Sequence, residues 1–317
     1  MPDLGIIKKK IRQAKEIIVA GHINPDGDSI GSLLSLGLAL ETLNKRIYMI
    51  SPDGVPKKYT KLPGAGRIIK YFYKPVDLAI AVDCGNKELL GSAFAAFKKA
   101  KDVLEIDHHE FRRPFGNLSF IEHDAAAVSE LIYVLLKEMK IKITKEVAYN
   151  LLASMIIETE SFRLPNVRRF TFKICSELMA TGLNFHKLVD MIFWSRTKES
   201  IILSGTILSR CKFMNDNRLV WSIIRQKDFQ RLNGRDEDVD AVADEMRSIQ
   251  TAQIAVLFRE KEKNSLRVSL RSKGKINVAR IAEDYGGGGH FDVAGCNIPN
   301  KSKTIKELLS MANSYLK

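Results

Sequence analysis

The sequence predicts an α/β protein: an open, mainly parallel sheet flanked by helices, then a helical connector and a smaller α/β domain. Three observations carry this. Residues 77–82 (DLAIAV) and 103–106 (VLEI) are of strand length and lack polar alternation, as strands of a parallel sheet covered on both faces do. Helical segments alternate with such strands. Apolar residues make up 45% of the 317, enough for two cores of ordinary size.

In chain order, residues 15–21 (KEIIVAG) read as the first strand. Residues 29–43 (SIGSLLSLGLALETL) read as a helix apolar on most faces, and therefore buried. Residues 46–50 form the next strand, and 87–100 a helix between the two apolar runs. From 125 to about 210 the pattern is mostly helical. Beyond 212 it changes: 219–224 (LVWSII), 252–258 (AQIAVLF) and 265–270 (SLRVSL) read as strands, with helices near 239–246 and 303–315. The expected domains are 1–185 and 213–317, joined by a connector at 186–212. Trp194 and Trp221 sit in apolar contexts and read as core, with a surface facing a partner subunit as the alternative for Trp194, and His186 reads as a structural residue of an amphipathic helix.

Composition excludes several classes. No apolar run is long enough to span a bilayer, and the lysine-rich first residues precede too short an apolar stretch for a secretory signal. A soluble, cytoplasmic protein with no membrane partner is expected. The four cysteines are far apart and form no CxxC pair, which fits reduced single thiols rather than a disulfide frame or a zinc knuckle. The net charge of +13 suits a polyanionic partner and a lysine-rich solvated surface equally well. Its distribution says more: residues 259–280 hold eight Lys or Arg against two Glu.

Three strand ends carry polar side chains: His22 with Asp26 and Asp28, then Asp83, then Asp107 with His108 and His109. Ligands of open α/β sheets bind outside the carboxyl ends of the strands. Each residue alone is ordinary, since an Asp after a strand often caps the next helix. Together, four converging carboxylates without fixed positive charge would repel one another, and divalent cations remove that problem. Mostly carboxylate ligands with an imidazole for each ion suit Mn²⁺, with Mg²⁺ or Co²⁺ as alternatives. A shared carboxylate between two ions is the usual dinuclear phosphoryl-transfer arrangement.

HINPDGDSIGS, AVDCG and DHH, in this order and at these separations, resemble the first three motifs of the DHH phosphoesterase family. GGGGH, from Gly286 to His290, resembles the signature of the associated DHHA1 domain. The layout is most similar to the nanoRNase branch. The resemblance implies a hydrolase with two Mn²⁺ ions that cuts short RNA or dinucleotides to mononucleotides and also acts on 3′-phosphorylated nucleotides. It implies that His22 and Asp26 hold one metal, Asp28 and His108 the other, and that Asp83 bridges both. His109 is then expected near the scissile phosphate, with Asp107 orienting the histidines. It also implies a homodimer through the helices of the first domain.

The chain departs from the family around one wall of the site. IIETESF stands where the family has a Thr-Asp-Thr, so Glu158 takes the place of a metal-binding Asp. Ala126, Ala127 and Val128 replace small hydroxyl residues, with a hydroxyl only at Ser129, and Glu160 stands where a glycine or small residue is common. Alternative readings are a cyclic-dinucleotide phosphodiesterase, a single-strand exonuclease, or a catalytically impaired nucleotide-binding protein.

In the second domain, Arg267, Arg271 and Lys273 alternate with Ser269 and Ser272, a pattern that suits phosphate or a solvated strand face. Four consecutive glycines let backbone N–H groups approach an anion. By the resemblance, this loop, with Gly288, Gly289 and His290, contacts the nucleotide across an interdomain cleft. Arg271, Ser272 and Asn277 lie in the matching phosphate-binding segment.

Overall fold

The computed structural model describes residues 4–110, 112–262, 264–289 and 291–316. It divides into two compact units, one up to Ser195 and one from Arg196 onward. The segment expected as a connector is shared: helix Phe185–Phe193 belongs to the first unit and Lys198–Ser209 to the second.

The first unit opens with helix α1 (Leu4–Gln13), whose Leu4, Ile7 and Ile11 form one buried stripe. Strand β1 (Glu16–Ala20), helix α2 (Gly27–Glu41) and strand β2 (Arg46–Ile50) follow, then β3 (Leu78–Val82), the single-turn α3 (Phe94–Phe97), β4 (Asp102–Asp107) and β5 (Leu118–Ile121). Helices α4 (Val128–Glu138), α5 (Lys145–Glu158), α6 (Arg169–Met179) and α7 (Phe185–Phe193) complete it. The expected open parallel sheet is present, in the order β2-β1-β3-β4-β5. Its strands lack polar alternation because both faces are covered. Ile17, Val19, Ile80 and Ile106 pack under the helices, while Ile18, Ala20, Ala79 and Ala81 meet Leu90, Ala93, Ala96 and Phe97.

The helix expected over 87–100 is instead a 3₁₀ stretch, Lys87–Ala93, followed by the single turn α3. Gly91, at φ +48°, breaks the right-handed run. Helix α2 is capped by Asp26, whose carboxylate accepts the Ser29 N–H at 2.9 Å. It crosses α5 closely: a Cβ on Gly31 would sit 2.8 Å from Ser154 Cβ and 2.9 Å from the Asn150 carbonyl oxygen.

The second unit begins with α8 (Lys198–Ser209) and continues through β6 (Lys212–Met214), β7 (Leu219–Ile224), α9 (Gln226–Leu232), α10 (Val242–Arg247), β8 (Ile254–Glu262) and β9 (Ser265–Ser272). Helix α11 (Val278–Glu283), the short β10 (Gly288–Gly289), β11 (Val293–Pro299) and α12 (Ser302–Ser314) close it. Its sheet runs β10-β11-β9-β8-β7-β6, with only β7 and β8 parallel among the described pairs. Ile254, Val256 and Phe258 share a core with α11 and α12, while Ala255 and Leu257 share one with α8 and α10. Trp221 stacks edge-on against Phe258, but Trp194 is 77% exposed, which corrects its reading as core. It follows the last turn of α7, where the chain leaves the helix.

A candidate metal centre at the strand ends

The sheet places the polar residues together. β1 lies between β2 and β3, so successive connections leave it in opposite directions and a crevice opens at the carboxyl ends of β1 and β3. Ala20 pairs with Ala81 and Val82 with Ile106, so the three strands end level. His22 follows β1, Asp83 follows β3, and Asp107 ends β4 with His108 and His109 behind it. Asp83 sits at φ +59°, a left-handed conformation that costs a non-glycine residue about 1 kcal/mol or more.

Three overlapping groups of possible ligand atoms form there among the described residues: His22, Asp26 and Asp83; Asp28, His108 and Glu158; and Asp83, His108 and His109, each with its atoms within 4.8 Å of one another. Asp83 joins them: its Oδ2 lies 3.4 Å from His22 Nε2, and its Oδ1 lies 3.9 Å from His108 Nε2 and 3.7 Å from His109 Nδ1. Glu158, the last residue of α5, brings Oε1 to 3.7 Å from His108 Nε2. His22 Nδ1 donates to the Ile23 carbonyl at 2.7 Å, and His108 Nδ1 to the Ala125 carbonyl at 3.0 Å. A carbonyl only accepts, so each Nδ1 carries the proton and each Nε2 is turned to the carboxylates as a ligand atom.

Burial and mutual repulsion of the carboxylates favour positive charge at the site. Among the described residues, the ion-pair partners of Asp28, Asp83 and Glu158 are all imidazoles. Burial, then Asp83, pushes the Asp28 carboxyl up to about 6. Burial, then the charge of Asp28, raises Glu158 well above its ordinary value. Burial alone would lower the His22 pKa, but Asp26 and Asp83 lift it to about 11. Protons thus collect where a divalent cation would satisfy the same oxygens, and the mixed carboxylate and imidazole set fits Mn²⁺, Mg²⁺ or Co²⁺. No thiolate competes at this end: Cys84 donates to the Val82 carbonyl, and burial, then Asp83, raises its pKa.

His109 is held differently. Its Nδ1 donates to Asp107 Oδ1 at 2.6 Å; burial alone would lower its pKa, but Asp107 raises it to about 9. Asp107 also accepts the His108 N–H at 2.8 Å and Arg112 Nε at 3.3 Å. Arg112 in turn pairs with the buried Glu105, which takes the Phe115 N–H at 2.8 Å. Arg112 and Glu105 escaped the sequence reading, because a charged residue inside an apolar strand and an arginine in a loop carry no motif. Ser154 escaped it too, although it lies one helical turn before Glu158.

In the second unit the arginines of β8 and β9 are already paired with aspartates. Arg267 Nη1 donates to Asp236 at 3.2 Å, Arg259 Nη1 to Asp240 at 2.7 Å and Arg271 Nε to Asp244 at 2.6 Å. The three aspartates follow one another at intervals of four, and Arg247 pairs with both Asp244 and Asp292. Ser272 Oγ donates to the Ile276 carbonyl at 2.6 Å, and Asn277 caps α11 by accepting the Ala279 and Arg280 N–H groups. Two of the glycines serve packing: a Cβ on Gly287 would lie 2.6 Å from Cys296 Cβ, and one on Gly289 2.5 Å from Ala294 Cα. Gly288 faces open space, and His290 lies outside the described residues.

The comparisons agree with this architecture. Residues 16–156 match the model of the DHH family, N-terminal domain, and residues 216–317 that of the DHHA1 domain. The chain is 28% identical to the bifunctional oligoribonuclease and PAP phosphatase NrnA of Thermus thermophilus over 89% of its own length and 84% of that protein's. It is 25% identical to the cyclic-di-AMP phosphodiesterase GdpP of Bacillus subtilis over 98% of its own length and 49% of that protein's. The crystal structure of an exopolyphosphatase-related protein from Bacteroides fragilis has the same fold, with a TM-score of 0.92, 23% identity, and coverage of 98% of this chain and 94% of that one.

Proposed function

Since the chain belongs to the DHH family and carries a DHHA1 domain behind the DHH domain, we propose that it is a metal-dependent phosphodiesterase of short oligoribonucleotides. It would cut dinucleotides and short RNA to mononucleotides in the cytoplasm and remove phosphate from 3′-phosphorylated nucleotides. The observation that carries the reading is the pair of ligand groups that meet at Asp83. The similarity to NrnA supports the substrate class.

In this reading His22, Asp26 and Asp83 hold one Mn²⁺, and Asp28, Asp83, His108 and Glu158 the other. Bound there, the ions would supply Lewis acidity, neutralising phosphate oxygens and lowering the pKa of a water. The protein's own groups do the rest. The main-chain carbonyls of Ile23 and Ala125 fix the ligating nitrogens of the two histidines. His109, held at Nδ1 by Asp107, would bind a phosphate oxygen or pass a proton to the leaving alcohol. Arg271, Ser272, Asn277 and the turn at Gly288 would bind the nucleotide's phosphate, with Arg271 exchanging part of its contact with Asp244 for the substrate.

A second reading, hydrolysis of cyclic dinucleotides, is supported by the similarity to GdpP. The test is Mn²⁺-dependent hydrolysis of a diadenosine dinucleotide, an RNA 5-mer, 3′-phosphoadenosine 5′-phosphate and cyclic di-AMP. The linear substrates should turn over, and Asp83→Ala should lower the rate roughly 100-fold or more, since even residues behind the ligands cost about 10–100-fold. Turnover of cyclic di-AMP alone would favour the second reading, and no turnover of any of the four would end the enzyme assignment.

A further inference from the structure

We infer that Ser154, Ser129 and Ser32 form a hydroxyl clamp that makes Asp28 a one-oxygen ligand, with Ser154 as the positioning residue. The inference rests on the metal-centre reading above. Asp28 and all three serines are fully buried. Asp28 Oδ1 accepts Ser32 Oγ–H at 3.0 Å and Ser154 Oγ–H at 2.5 Å, which fills its acceptor positions. Oδ2 accepts the Val128 N–H at 2.8 Å and lies 3.9 Å from His108 Nε2, so its remaining lone pair is what the carboxylate offers.

The clamp has a direction. Ser154 Oγ also lies 2.6 Å from Ser129 Oγ. A hydroxyl has one proton, and the carboxylate can only accept; the Ser154 proton therefore goes to Asp28, and Ser129 donates to Ser154. Ser129 is the hydroxyl that remains where Ala126, Ala127 and Val128 stand in the turn before it. It reaches Asp28 only through Ser154. Ser154 and Glu158 share α5 one turn apart, so one helix carries both the clamp and a ligand of the same proposed ion. The close crossing at Gly31 brings that helix within reach.

The expected consequence is asymmetric. Ser154→Ala strands Ser129, frees one position on Oδ1 and lets the carboxylate turn. Affinity at the Asp28, His108 and Glu158 group should fall about 10–100-fold, the usual effect of removing a partner behind a ligand. The His22, Asp26 and Asp83 group should keep its affinity. Calorimetric Mn²⁺ titration of the full chain, with circular dichroism as a folding check, reads both sites. Two sites in the wild type with only one weakened in Ser154→Ala supports the clamp. Two unchanged sites in a folded Ser154→Ala refute it, while the metal-centre reading survives. No Mn²⁺ bound by the wild type overturns both. If Ser154→Ala does not fold, Ser129→Ala decides: a smaller weakening confined to the same site supports the relay, and none refutes it.

Discussion

Asp83 is the residue on which the two ligand groups depend, since one oxygen turns toward each. Glu158, the last residue of α5, is a candidate ligand one methylene longer than an aspartate. Glu158→Asp should leave the second site's Mn²⁺ affinity within a few-fold of wild type, whereas Glu158→Ala should weaken it tenfold or more; calorimetric titration separates them. Its neighbour Glu160 has φ +47°, followed by Ser161 at +66° and Phe162 at +63°. A left-handed conformation of this kind favours glycine. Glu160→Gly should raise stability by about 1 kcal/mol in urea unfolding, because glycine adopts this conformation without the Cβ clash. Residues such as His22, Asp26, Asp28, Asp83 and His108 were legible because each follows a strand in a recognisable local pattern. Ser154 and Arg112 were not, because their importance exists only after α2 meets α5 and the loop folds back on β4.

Among the elements, α2 and α5 matter most to the site. Their crossing depends on the missing Cβ of Gly31, opposite Ser154 and the Asn150 carbonyl. Gly31→Ala must push the helices apart, costing about 1–3 kcal/mol as overpacking does. It should lower the thermal midpoint and the affinity of the second site together, unlike Ser154→Ala, which should affect affinity more than stability. The buried parallel strands were legible from their uniform apolar character. The stretch Lys87–Ala93 was not, because a single glycine at positive φ converted an expected helix into 3₁₀ turns. β11 also escaped, since Gly295, Asn297 and Pro299 dilute its apolar pattern, and pairing with β9 supplies what propensity lacks.

At the scale of the whole molecule, the two units have separate cores, and among the described residues the candidate metal ligands all belong to the first. A ligand that binds only the native state adds about 2.7 kcal/mol at a hundred times its dissociation constant. Added Mn²⁺ should therefore raise hydrogen-exchange protection in β1, β3, β4 and α5 and leave β8 and β9 unchanged; a chelator should reverse it. Among the described residues, no helix is long and apolar enough to cross a membrane. The net charge of +13 suits a polyanionic partner and a solvated lysine-rich surface equally, and it does not say which cations are available. Binding to single strands weakens with salt in proportion to the phosphates a protein neutralises, a slope of about −0.7 for each. An arginine already matched by an aspartate must exchange that contact before it can meet a phosphate. The succession Asp236, Asp240 and Asp244 thus sets a competing carboxylate beside Arg267, Arg259 and Arg271. A phosphate bound at Arg267 or Arg271 would therefore have to compete with Asp236 or Asp244 for the guanidinium.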